Sequence, residues 1–280
     1  MPRDIDGLTS PTLKHLRDHW WDEPFTMFLR DNLQPRAGTR ILDVGCGTGT
    51  AEVQLGRLRL SQVDLFGVDL IPDRVRAARE AARGTNTRAA FAASDACRLP
   101  FTDGAFDSTF CVAVLQHVRE IDEALAEFAR VTRPGGRILA VEPDNSARYW
   151  YSSAESGRRA FEVGARFFGA VAMARGDVTD PAIGPKLPAL FARRGIEPLS
   201  VTLFPVSTAR LGAPEPAVWA SRRESVQQAV DRSPDESIRR LGTDYLKLLD
   251  RYAEEAAGAG SGFVEIQNTM LFATLGRRPE

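Results

Sequence analysis

Residues 40–49 read Arg-Ile-Leu-Asp-Val-Gly-Cys-Gly-Thr-Gly, and this stretch decides the fold. A short apolar run ends at Asp43 and Val44, and Gly45, Gly47 and Gly49 follow at alternate positions. The run predicts a buried parallel strand, and the glycines predict the tight turn that leaves it for a helix. Glycine there lets the backbone take positive φ and lets a ligand approach without meeting a Cβ. A nucleotide-like ligand at the carboxyl end of a central strand is the expectation. A dinucleotide fingerprint would need a third glycine where Thr50 stands, and a phosphate-binding P-loop would need a lysine after the glycines, where none follows.

Working outward, strands are predicted at 65–69, 88–93, 106–112 and 137–141, beside the first at 41–44. Helices fall between them at 50–60, 72–83 and 121–131; Pro72 opens one, where a missing N–H costs nothing. Leu125 and Phe128 mark the buried face of another. Asp103-Gly104 and Pro134-Gly135-Gly136 are turns. Such alternation implies a parallel sheet with helices on both faces. Upstream, Leu13, Leu16 and Trp20 recur at helical spacing over 12–33, with a break at Pro24 before Phe25, Phe28 and Leu29. After Glu142 the pattern changes. Residues 145–175 read as irregular helix with aromatic clusters, 185–194 as helix and 196–206 as strand. Residues 214–258 read as charged helix and 263–275 as a final alternating strand.

The 280 residues are 43% hydrophobic, enough for a proper core. With 36 basic and 37 acidic residues the formal net charge is −1, which supplies no drive toward nucleic acid or anionic membrane. Apolar runs stop well short of the roughly 18 residues a membrane span needs. The first residues lack the basic and apolar regions of a signal peptide. Cys46, Cys97 and Cys111 form no C-x-x-C pair, which fits a reduced, cytoplasmic setting.

Asp43-Val44-Gly45-Cys46-Gly47-Thr48-Gly49 resembles the first motif, acid-x-G-x-G-x-G, of the class I S-adenosylmethionine-dependent methyltransferases. Further motifs follow in that family's order: Asp69 ending the second strand, Asp95 and Ala96 after the third, and Leu99-Pro100-Phe101 running into the fourth. Leu115-Gln116-His117-Val118 resembles its Leu-x-His-Val signature, and Arg133-Pro134-Gly135-Gly136 its turn before the fifth strand. The resemblance implies S-adenosylmethionine as cofactor. It assigns Asp43, Gly45, Cys46, Gly47, Asp69, Leu70, Asp95, Ala96 and Val112 to hold it, Asp69 at the ribose and Asp95 at the adenine. It also implies an α/β, Rossmann-like sheet, mostly parallel and seven-stranded with an antiparallel last strand, in one domain over 1–280. Residues 39–143 would be the cofactor core and 183–207 and 261–280 the closing strands. Residues 1–38, 144–182 and 208–260 would be helical lids.

Methyl transfer from a sulfonium is an in-line displacement, so the protein mainly supplies proximity and alignment. A base is needed where the nucleophile must lose a proton. His117 is the first candidate, since imidazole titrates near neutrality. Glu142 and Asp144, at the carboxyl end of the fifth strand, could serve as base, substrate anchor or loop cap. Tyr149-Trp150-Tyr151 cannot all face one core, so at least one lines a surface or pocket, and Tyr151 joins the catalytic candidates. Trp20, Trp21 and Phe25 form a second cluster. With Asp144, Tyr149 and Trp150 they are the candidate walls of a flat, apolar substrate site. His15 and His19 have metal-ligand spacing but no third ligand, and no metal is expected.

These features predict methyl transfer to a small molecule, an aromatic or heteroaromatic natural product methylated at O, N or C. The absence of a basic tail, and of an Asn/Asp-Pro-Pro-aromatic motif after the fourth strand, argues against nucleic-acid substrates. No membrane partner is expected, and a homodimer through the inserted helices stays open. The alternatives are a nicotinamide-dependent oxidoreductase, which Thr50 and Asp95 oppose, and a non-catalytic protein that binds the same cofactor.

Overall fold

The computed structural model describes residues 20–58, 62–83, 85, 88–174, 180 and 182–280. The expectations for His15, His19 and the helix before Trp20 lie outside the described residues. The first described helix, α1, spans Glu23–Leu33. Pro24 starts this helix rather than breaking it. It sits in the first turn, where no intrahelical donor is lost, and the Asp22 carboxylate caps the helix by accepting the Phe25 N–H at 2.8 Å.

Seven strands form one sheet: β1 (Arg40–Val44), β2 (Asp64–Asp69), β3 (Arg88–Ala93), β4 (Phe106–Val112), β5 (Thr132–Ser152), β6 (Glu197–Leu211) and β7 (Val264–Arg277). Their order is β3-β2-β1-β4-β5-β7-β6, and β1 to β5 run parallel. β7 is antiparallel to β5, because Gly135 bonds to Arg278 at one end while Ser153 bonds to Val264 at the other. The sheet is the mixed, Rossmann-like one expected. Helices α2 (Thr50–Arg57), α3 (Pro72–Arg83), α4 (Ile121–Val131) and α6 (Leu187–Arg193) connect its strands. α4 buries Ala124, Leu125, Phe128 and Val131 in a core shared with Phe106, Ile138, Leu187 and Phe191.

Several boundaries differ from expectation: β5 begins at Thr132 and takes in Pro134-Gly135-Gly136, read above as a turn, and β6 runs on to Leu211. β5 continues to Ser152 through 145–152, read above as helix: Tyr149 and Tyr151 are exposed while Trp150 between them is half-buried, the period of two of a strand. Helix α5 begins only at Glu155 and ends at Ala174. Residues 214–258 are two helices, α7 (Pro216–Arg232) and α8 (Glu236–Ala259). Ser233-Pro234 breaks them apart, and the Asp235 carboxylate caps α8 by accepting the Ser237 and Ile238 N–H groups.

The chain divides into two compact units. One holds the described residues up to Ser146 with Thr179–Phe204 and Met270–Glu280. In it, Phe25 and Phe28 of α1 pack edge-on against Phe204 of β6 at 5.5 and 4.6 Å between centroids. The other holds Ala147–Val178 and Pro205–Thr269. There α5 and α7 pack on α8, and glycines allow the close approach: a Cβ at Gly164 would meet the Tyr245 ring at 2.6 Å. A buried network lies in this unit. Arg222 forks onto both oxygens of Glu265 at 2.7 and 3.1 Å, and Tyr252 donates to Glu265 at 2.8 Å. Burial opposes ionisation of Glu265, but Arg222 and Tyr252 outweigh it and hold the carboxyl below its usual range.

Candidate functional site

The turn after β1 is built from its three glycines, each at positive φ. The N–H groups of Gly45 and Cys46 both donate to the Val68 carbonyl, so the chain turns sharply over the end of β2. Two of the glycines are needed for packing. A Cβ on Gly45 would lie 2.3 Å from a Val114 methyl carbon, and one on Gly49 3.1 Å from Ala78. Gly47 differs: its φ is +55° and nothing lies within 4 Å of where a Cβ would stand. The loop thus presents bare backbone to open space, which is the cradle a nucleoside-type ligand requires.

Asp69 is 5% exposed. One of its oxygens accepts the Gly47 N–H at 3.0 Å and the other the Ile71 N–H at 2.9 Å. It therefore clamps the glycine loop onto β2, and each oxygen keeps a second lone pair for a ligand hydroxyl. Leu70 beside it is exposed. Asp95 and Ala96 are half-buried after β3, and Asp95 turns its own loop by accepting the Cys97 N–H at 3.0 Å. Val112 ends β4 half-buried. Asp43 and Cys46 are buried. Burial, then the Glu52 and Asp69 charges, push the Asp43 carboxyl well above its ordinary range. Burial and the same three carboxyl groups push up the Cys46 thiol.

Glu142 is fully buried at the end of the Thr132–Val141 part of β5. Its Oε1 accepts the Val114 and Leu115 N–H groups at 2.7 Å each, and Oε2 accepts that of Gln116 at 3.3 Å. Of the three roles the sequence left open for it, the geometry is that of a loop cap: its lone pairs hold backbone rather than face an acceptor. The capped segment carries Ala113, a non-glycine residue at φ +57°, a conformation that costs about 1 kcal/mol. It also carries Val114, which packs on Gly45, and His117, half-buried in a 3₁₀ turn over Leu115–His117. Asp144 closes a turn of its own, with Oδ1 accepting the backbone N–H and hydroxyl of Ser146 at 2.9 and 2.6 Å.

Phe25 is corrected from a pocket wall to a core residue. It is 2% exposed and packs on Trp21, Phe28 and Phe204. Trp20 and Trp21 are half-buried. In the second unit Tyr149 and Tyr151 are exposed, and Trp150 stacks on Phe161 at 5.1 Å between centroids. Among the described residues no cluster of His, Cys, Asp and Glu could hold a metal ion, and no helix is long and apolar enough to cross a membrane. One buried group was missed: Glu52, on α2, whose only sequence signal is an acid three positions after Gly49.

Residues 42–140 match the family model described as a methyltransferase domain. The demethylmenaquinone methyltransferase of Deinococcus radiodurans is 36% identical over 103 residues, 37% of this chain and 42% of that one. The 27-O-demethylrifamycin SV methyltransferase of Amycolatopsis mediterranei is 30% identical over 145 residues, 48% and 52% of the two chains. The chain thus spans about half the length of the curated relatives it matches. A putative methyltransferase from Bacillus halodurans has the same fold, with a TM-score of 0.57 over 91% of this chain and 99% of that one, at 18% identity.

Proposed function

From the match of residues 42–140 to a methyltransferase domain, we propose that the chain is an S-adenosylmethionine-dependent methyltransferase that transfers a methyl group to a small-molecule acceptor with an aromatic or heteroaromatic body. The observation that carries this reading is the glycine loop, open at Gly47 and clamped by Asp69. When bound, S-adenosylmethionine would supply a methyl group already activated on a sulfonium, which an acceptor atom in line would take as the thioether leaves. Asp69 would take the ribose hydroxyls on its remaining lone pairs, and Asp95 with the Ala96 N–H the adenine edge. Glu142 keeps the segment from Ala113 to His117 in place beside the loop. His117 is the group we assign to take the acceptor's proton where one must leave.

The names of two relatives, acting on a demethylmenaquinone and a demethylrifamycin, point to acceptors of the proposed kind. The test is transfer of labelled methyl to a panel of phenols, quinols and indoles by the wild type, His117→Ala and Tyr151→Phe. Label in a product, with turnover falling in His117→Ala, is expected. A panel that stays unlabelled while S-adenosylhomocysteine binds would leave a binding protein without the transferase chemistry.

A further inference from the structure

Asp43 of β1 lies in register with Gly67 of β2, and Gly67 with Phe91 of β3. Glu52 fills the notch that Gly67 leaves in this row: a Cβ at Gly67 would stand 2.6 Å from Glu52 Oε1 and 2.6 Å from the Phe91 ring. Asp69, two residues further along β2, is on the same face. Three carboxyl groups therefore share a buried face behind the glycine loop. Glu52 is 1% exposed and Asp43 4%.

Among the described residues neither Glu52 oxygen has a hydrogen-bond partner, and its own backbone amide alone favours its charged form. The charged and titratable groups around it are Asp43 from β1, Cys46 from the loop and Asp69 from β2. From α3 come Arg74, 3.9 Å from Asp69, and Arg79, whose guanidinium donates to the Phe91 carbonyl at 2.6 Å. Among the described residues neither arginine hydrogen-bonds a Glu52 oxygen. Isolating a carboxylate from water without a partner costs several kcal/mol, and two neighbouring ones resist ionising together.

Resting on the methyltransferase reading, we propose that the Asp43–Glu52 pair holds one proton in the free protein, releases it when the sulfonium donor binds, and so discriminates the donor from its product. The donor carries a sulfonium, an ammonium and a carboxylate, net +1. The product is a thioether and has lost the sulfonium charge. In the transfer the S–CH₃ bond breaks, the acceptor–CH₃ bond forms, and sulfur keeps the electron pair. Once the positive charge has left sulfur, nothing offsets the second buried carboxylate, and Glu52 takes a proton back from solvent. Burial pushes the Glu52 carboxyl up to about 8, which keeps it protonated at neutral pH until a cation arrives. The pair thereby favours loading of the donor and departure of the product.

The test is calorimetric titration of S-adenosylmethionine and of S-adenosylhomocysteine near pH 7, each in two buffers of different ionisation enthalpy. The difference between buffers counts protons released, whatever the turnover. The wild type should release most of one proton with the donor and almost none with the product. Its Kd for the donor should rise toward about tenfold per pH unit below pH 8, while that for the product stays flat. Glu52→Gln keeps the shape of the protonated carboxyl. It should abolish both the proton release and the pH dependence while still binding the product. Equal proton release with both ligands, or release that persists in Glu52→Gln, overturns this inference alone. Failure of both ligands to bind the wild type overturns it together with the methyltransferase reading.

Discussion

Replacing Glu142 by alanine removes a buried carboxylate that accepts two backbone N–H groups at 2.7 Å and a third at 3.3 Å. A hydrogen bond to a charged group contributes about 1.5–3 kcal/mol, and an orphaned buried donor costs about 1–3 kcal/mol. The two short bonds together set the expected loss at about 3–5 kcal/mol. Glutamine keeps one oxygen for Val114 and Leu115 but turns an NH₂ toward the Gln116 N–H, so about 1–2 kcal/mol is expected. Urea denaturation reads both values as midpoint shifts at unchanged slope. Titration with S-adenosylhomocysteine and measurement of kcat accompany it. The alanine variant should bind cofactor more weakly, because the segment from Ala113 to His117 slackens, and glutamine should recover most of the stability and the turnover. A glutamine variant as stable as the wild type yet inert at every pH would refute this reasoning, since the carboxylate would then be handling a proton.

Two glycines of one loop should separate. Gly45→Ala drives a Cβ to 2.3 Å from Val114 and should cost about 2–4 kcal/mol in thermal unfolding. Gly47→Ala meets nothing within 4 Å and should cost only about 1 kcal/mol of backbone strain, yet its calorimetric affinity for S-adenosylhomocysteine should collapse. Arg222→Met strands the Glu265 charge and should destabilise by about 3–5 kcal/mol, whereas the Arg222→Met/Glu265→Met double variant should recover most of it. Because Glu265 is held below its ordinary 4.5, the stability it contributes should be present above that pH and fall away in acid. Glu52 works the other way. Its carboxyl sits near 8 in the folded chain against an ordinary 4.5, so the folded state holds the extra proton and stability declines as pH rises between the two. At about 1.4 kcal/mol per unit, Glu52→Gln should gain on the order of 5 kcal/mol over the wild type at alkaline pH and little near pH 4.

What the sequence made legible follows from local physics. The strand β3 ends where Ser94 and Asp95 stop an apolar run, β4 starts after the Asp103-Gly104 turn, and α4 shows its buried stripe through Leu125 and Phe128. The far half of β5 was not legible. Its polar residues carry no helix or strand period until one knows that β7 pairs beside them. Pro24 misled because its effect depends on Asp22 being a cap, which makes the same residue a start instead of a stop. The turn at residues 45–49 could be read from glycine spacing alone, but the clamp by Asp69 could not, since its place at the end of a strand does not show that it accepts the Gly47 N–H. The partners of Glu142 are backbone N–H groups 26 to 28 residues away, which leave no mark on side-chain identity. Glu52 is hidden for a related reason: the notch that receives it is an empty position, Gly67, on another strand.

The central claim is tested most directly by calorimetric binding of S-adenosylhomocysteine, with NADH as control, to the wild type and to Asp69→Ala. Micromolar binding of S-adenosylhomocysteine alone, lost or greatly weakened in Asp69→Ala, is the predicted result. Binding of NADH in its place, or affinity for S-adenosylhomocysteine untouched by the loss of Asp69, would contradict the account.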